Sequence, residues 1–189
     1  HPAVTTKFSL LPGRDVIGDG HVFRYGNDGK LLREYRTEAN GGLFGFLAVT
    51  STALTDNDTR MIYISETGRR VMQYDLANDR QLADFSQDPA VPMVLVMNPT
   101  PDGQLLISNG KGFMLVDAQS GKVLRDYPLQ GMGWAAVNAS TDGQYALIGN
   151  FFTGDILKVR LADGAVVAKN NIGQRESLSG IAQFPGPAP

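Results

Sequence analysis

Four oxygen-bearing residues close four short apolar runs: Asp19 ends "DVIGD", Glu66 ends "MIYISE", Asn109 ends "LLISN" and Asn150 ends "YALIGN". Two carboxylates and two carboxamides brought together suit a hard cation such as Ca²⁺, which takes about 6–8 oxygen ligands. Glu38, Asp88, Arg175 and Glu176 fall in segments that would share their rim if each run is one strand of a repeated sheet. The same residue types have a second chemistry. Asn and Asp at a tight turn accept hydrogen bonds from their own backbone, and recurrence in every repeat is how structural residues behave. A cation site at Asp19, Glu66, Asn109 and Asn150 and a set of turn-formers are therefore both open. Trp134 follows "LQGMG" and is the aromatic best placed to stack on a sugar or aromatic ligand at such a rim, although core filling is the default for it and for Met93, Met97, Met114 and Met132.

Other chemistries find little support. The chain has no Cys, which removes disulfides, thiolate catalysis and Cys-based metal sites together. His1 and His21 are the only histidines. A terminal His with a second imidazole is a copper-binding arrangement, but nothing around His21 supplies a further ligand pattern. No G-x-S-x-G elbow accompanies His21 as a base, so a Ser-His-Asp hydrolase is not indicated. "GDGHVFRYGNDG" lacks the D-x-D-x-D-G spacing and closing Glu of a calcium loop, and "GKGFMLVD" lacks phosphate-loop spacing. A net charge of -2 gives no basic footprint for nucleic acid, and no apolar run reaches the ~20 residues of a membrane span.

The elements that must position these residues repeat. The runs at Asp15, Met61, Leu105 and Tyr145 start 46, 44 and 40 residues apart, close to the ~40–45 of four-stranded propeller blades. Each is followed by a partner run: "HVFRY", "RVMQYD", "FMLVD" and "ILKVRL". A turn bearing Gly29, Asp79, Gly121 or Gly164 comes next, and then "LLREY", "QLADF", "VLRDY" and "VVAKN". A fourth run precedes each set: "AVTTKFSL" (Ala3–Leu10), "FGFLAVTS" (Phe44–Ser51), "MVLVMNP" (Met93–Pro99) and "WAAVNAS" (Trp134–Ser140). The runs are short, β-branched or aromatic, and bounded by Gly, Asp, Asn or Pro, which is strand chemistry. No helical periodicity persists. The expected fold is all-β: a β-propeller, or a segment of one, with repeats over 3–36, 43–86, 92–129 and 133–172 and a partial fifth over 178–185. Strands are expected at Ile62–Ser65, Leu105–Ser108 and Ala146–Ile148. With 42% hydrophobic residues, 22 Gly and 10 Pro in 189, the composition fits many short strands and turns around a sizeable core.

"TRMIYISETGRRVMQYDLANDRQL" (Thr59–Leu82) resembles the repeat of YVTN-type propellers, including the heavy chain of quinoprotein amine dehydrogenase and bacterial lactonase-like propellers. "GHVFRYGNDGKLLREY" and "SGIAQFPG" resemble the related SMP-30/gluconolactonase group. The resemblance implies a propeller over nearly the whole chain. It also implies a divalent ion at the channel mouth, held by carboxylates and asparagines; here these would be Asp19, Glu66, Asn109 and Asn150. The gluconolactonase pattern places its ligands at unlike positions in different blades, and a ring of like positions departs from it.

Three functions follow as expectations. The first is a non-catalytic scaffold or binding module for a protein or small molecule, part of a larger periplasmic or secreted protein. The second, from the rim oxygens and the resemblance, is a metal-dependent lactonase-like hydrolase in which the ion polarises a carbonyl and activates water. The third is the propeller subunit of a quinoprotein dehydrogenase, whose redox cofactor belongs to a partner chain. Four and a fraction repeats would leave apolar blade faces uncovered. The chain is therefore expected to be a piece of a larger ring or one of two chains completing a ring, with a small ring closed by the extra strand as the third arrangement. It opens at His1 instead of Met, which predicts that it is processed, trimmed or excised.

Overall fold

A computed structural model describes residues 5–7, 14–18, 21–25, 28–36, 52–56, 59–64, 71–85, 94–176, 178, 180, 181 and 183. Among them there are sixteen strands and no helix. They form four antiparallel sheets of four strands, three joined in simple sequence order and the fourth likewise when read from its other edge. Each is a β-meander, as the repeat intervals require, and the fold is that of β-propeller blades. Chain contacts divide the molecule into two units, 1–86 and 87–189.

The first unit holds two sheets. One comprises β1 (Thr5–Lys7), β2 (Arg14–Gly18), β3 (His21–Tyr25) and β4 (Leu31–Arg36). The other comprises β5 (Thr52–Thr55), β6 (Arg60–Ile64), β7 (Val71–Asp75) and β8 (Arg80–Gln81). Met61, Tyr63, Met72, Tyr74 and Leu76 cluster on one face of the second sheet. On strands β6 and β7 the opposite face carries buried Arg60, which donates to Asp56 (2.6 Å) and to Gln73 (2.5 Å) and so ties the β5–β6 turn to β7.

In this second sheet the inner strand departs from expectation. The run Phe44–Ser51 lies outside the described residues, and the strand paired with β6 is Thr52–Thr55. The reason is the turn. Asp56 adopts φ 54 and its carbonyl accepts the Thr59 N–H at 3.3 Å, so the four residues immediately before this tight turn form the hairpin arm. The last strand is also shorter than "QLADF" suggested, yet Leu82 N–H still donates to Gln73 (3.0 Å) and Phe85 N–H to Val71 (2.9 Å).

The second unit holds β9 (Val96–Pro99), β10 (Leu105–Ser108), β11 (Gly112–Val116) and β12 (Val123–Pro128) in one sheet. The other contains β13 (Trp134–Ala139), β14 (Tyr145–Asn150), β15 (Asp155–Arg160) and β16 (Val166–Asn171). The first hairpins turn on "TPDGQ" and "STDGQ". Thr100 and Ser140 accept the N–H of Gly103 and Gly143 through their carbonyls, at 3.0 and 2.9 Å, and both glycines sit at positive φ. The third-to-fourth turns share another device, with Asp117 accepting from Gln119 and Ser120 and Asp163 accepting from Ala165. A bulge precedes this turn in each of the two sheets, at Leu115/Val116 and Lys158/Val159, and the first sheet of the other unit repeats it at Arg24/Tyr25.

The core of this unit joins both sheets: Val96, Leu106, Phe113, Tyr127, Trp134, Val137, Ala146, Ile148, Leu157 and Val159 form one cluster. Polar contacts fix the register between sheets. Asn98 Nδ2 donates to the Val137 carbonyl (2.7 Å) and Ser108 Oγ to Ala135 (3.2 Å). Tyr127 stacks on Phe113 at 4.5 Å, and its hydroxyl donates to the Leu161 carbonyl at 2.6 Å. Burial is greatest at β10, which is wholly buried, and least at the outer strand β16, all six residues of which are exposed. Of the trailing run Ser179–Pro185, only Gly180, Ile181 and Gln183 are described, and they lie alongside β13 and the turn after it, joined by hydrogen bonds from Asn138 and Thr141.

Candidate binding rim of the second unit

One end of the second unit collects the β10–β11 turn, the 129–133 loop, the β14–β15 turn and the segment after β16. Backbone hydrogen bonds hold them together. Gly133 N–H donates to Gly110 (2.8 Å), Leu129 N–H to Lys111 (2.9 Å), and Ile172 N–H to Gly154 (3.0 Å).

Asn109 and Asn150 both stand at this end, each opening a turn after the second strand of its sheet. Asn109 Oδ1 accepts the Lys111 N–H at 3.0 Å. Asn150, only 3% exposed, is committed further: Oδ1 accepts the N–H of Phe152 (3.0 Å) and Thr153 (3.1 Å), while Nδ2 donates to the Met132 carbonyl (2.8 Å). A carboxamide oxygen has two acceptor directions, and both are taken. These are Asx turns, and Asn150 is also the clasp between two loops. Asp19 and Glu66 fall outside the described residues, as do Glu38, Asp88 and His1. Arg175 and Glu176 are described and exposed, in the segment following β16. His21 opens β3 opposite Gly18 and Arg36. Among the described residues no three His, Cys, Asp or Glu side chains gather in a way that would hold a metal ion.

Trp134 belongs to the core. It is 5% exposed and its indole N–H donates to the Gln130 carbonyl at 3.1 Å. The apolar groups that do reach the surface here are others: Met132 and Phe152 (each 54% exposed) and Ile172 (42%). Met97 and Met114 are buried as expected, whereas Met132 corrects the core-filling expectation. The cause is local. Gly131 and Gly133, at φ 87 and 94, flank Met132 in a tight loop. A Cβ on Gly133 would come within 2.3 Å of the Phe152 ring, so glycine there lets the loop and the ring lie in contact. Phe152 also meets Phe151 edge-on, with centroids 5.4 Å apart. The sequence signal was "GMG", a large apolar residue between two turn glycines.

The polar surround is well bonded. Asp155 accepts from Thr153 Oγ1 (2.9 Å) and Asn171 Nδ2 (3.0 Å), with Lys169 at 3.5 Å. Hydrogen bonds from Asn171 and Thr153, assisted by the Lys169 charge, hold its carboxyl below the usual carboxylate range. The rim is therefore a set of stiff turns from which apolar side chains project.

No protein family and no curated protein matches the sequence. Solved structures do share the fold. A chain of the hydrazine synthase of Kuenenia stuttgartiensis superposes with a TM-score of 0.64 at 13% identity, covering 85% of this chain and 46% of that one. A chain of a mitotic checkpoint complex does so with a TM-score of 0.67 at 18% identity, covering 92% and 52%. Both structures contain β-propellers. This chain thus spans about half the length of the chains it matches. Because 896 solved chains match, the likeness establishes the propeller fold and selects no activity.

Proposed function

We propose that the protein is a β-propeller scaffold or binding module, part of a larger periplasmic or secreted protein, and that it engages a protein partner through the rim bearing Met132, Phe152 and Ile172. The observation that carries this reading is the exposure of these apolar residues on turns whose polar groups are already bonded to each other. Such groups add little to the core of their own unit, whereas apolar tips on rigid turns give contact area with little ordering cost on binding. Propellers carry assembly surfaces in many unrelated settings, which fits the fold.

The alternative is a lactonase-like hydrolase with a divalent cation held by Asp19, Glu66, Asn109 and Asn150. It needs a free oxygen on each ligand, and Asn150 Oδ1 already accepts two backbone N–H groups. A quinoprotein dehydrogenase subunit would use the same scaffold character, with the redox group on its partner.

Calcium titration by calorimetry on the full chain tests the proposal. The scaffold reading expects no saturable heat. A saturable heat that weakens in Glu66→Gln and persists in Asn109→Asp would overturn it in favour of the hydrolase, because the first change removes a carboxylate and the second adds one.

A further inference from the structure

We infer that the segment bearing Leu178, Gly180, Ile181 and Gln183 is a docking segment, anchored on the β13–β16 blade by the same asparagine-to-carbonyl contact that anchors β13 on the β9–β12 blade. Two blade positions make the comparison. Asn98 lies opposite Leu106 in its ladder and Asn138 opposite Leu147, so both occupy the same place on an inner strand. Asn98 Nδ2 donates to the Val137 carbonyl of the next inner strand at 2.7 Å. Asn138 Nδ2 donates to the Ile181 carbonyl at 3.2 Å. Ile181 therefore stands where Val137 stands, one blade on.

A second position also receives the incoming segment, one residue out of step and by a different contact. Ser108 and Gly149 each precede the Asn that opens the second-to-third turn. Buried Ser108 meets the incoming strand through Ala135, two residues before Val137. Gly149 meets it through Leu178, three residues before Ile181: a Cβ on Gly149 would lie 2.4 Å from Leu178 Cδ2 and 2.8 Å from Cγ. The missing side chain at 149 is thus the seat that admits Leu178. A third contact closes the end of the segment, with the Thr141 N–H donating to Gln183 Oε1 at 3.3 Å.

The code is therefore an amide that reads a backbone carbonyl, a notch that takes a Leu-sized side chain, and a backbone N–H that takes a carboxamide. The occupant of the blade face here is the chain's own segment bearing Leu178, Ile181 and Gln183. None of Leu178, Gly180, Ile181 and Gln183 joins a strand ladder, so side-chain contacts and packing carry the docking.

The test is a double-mutant cycle read by hydrogen–deuterium exchange and limited proteolysis on the full chain. Gly149→Ala places a methyl group where Leu178 sits. It is expected to raise exchange and cleavage across 178–183 by about tenfold while β10 and β15 keep their protection. Leu178→Ala alone is expected to loosen the segment less. The double variant, in which the clash is absent, is expected to recover protection relative to Gly149→Ala, which is the coupling that only a direct contact gives. Leu178→Asp changes only the segment and is expected to release it with the blade intact. The inference is overturned if wild-type 178–183 exchanges at the unprotected rate, or if the Gly149 and Leu178 effects simply add.

Discussion

Asn150 does three things at once, and each makes a distinct demand on the side chain. Its oxygen accepts two backbone N–H groups and its nitrogen donates to Met132, all from a position 3% exposed. Asn150→Asp keeps the acceptors, loses the donor and buries a charge facing a carbonyl. We expect it to cost about 2 kcal/mol in denaturant unfolding. At half-buried Asn109 only the acceptor is used, so Asn109→Asp is expected to stay within about 0.5 kcal/mol of wild type. A cation-site account predicts gains in cation affinity from both. Turn chemistry was legible at these residues, because Asn at a strand end before Gly or an aromatic pair is a local signal. Their unequal burial was not, since it depends on where the 129–133 loop lands. Met132 shows the same limit: composition placed it in the core, and two positive-φ glycines turn it out.

At the scale of elements, the repeat interval was enough to place the strands of the second unit, because every turn there carries a glycine, preceded by Asp or Asn in four of them and by Ser, Thr or Gln in the others. At β5, where "TDNDT" stands in place of "DG", the interval left out the hairpin arm Thr52–Thr55, which lies just beyond the expected run. Counting strands back from the turn instead of matching apolar runs would have found it. The burial gradient makes a prediction that the sequence alone did not. Amides of β10 and β14, each paired on both sides, should be the slowest to exchange, and those of β16 the fastest of the ladder strands in this unit. β16 is an edge whose side chains are all exposed, with Lys169 among them, which blunts pairing with other chains. Tyr127 joins two blades through one hydroxyl, so Tyr127→Phe should cost about 1 kcal/mol while leaving the Phe113 stack in place.

At the scale of the whole molecule, aspartates in both units share one electrostatic habit. Hydrogen bonds led by Asn78 on Asp75, Ser140 on Asp142, Asn171 on Asp155 and the Ala165 backbone on Asp163 lower their carboxyl pKa values. A depressed folded pKa stabilises the protein above the unfolded Asp value of about 3.9, and the contribution is lost as pH falls through the lower folded values. Thermal melts should therefore be insensitive to these groups near neutrality and fall in acid below about pH 4. The blade fold was readable from periodicity, but the function belongs to surface side chains that periodicity does not rank. The contact rim is the central claim, and site-specific photocrosslinking tests it most directly. Benzoylphenylalanine would replace Phe152 on the rim or, as a control, Leu124 on the exposed outer strand β12, in the cells that make the protein. The account predicts a discrete protein adduct from position 152 and none from 124. No adduct at 152, or equal labelling at both positions, would contradict it.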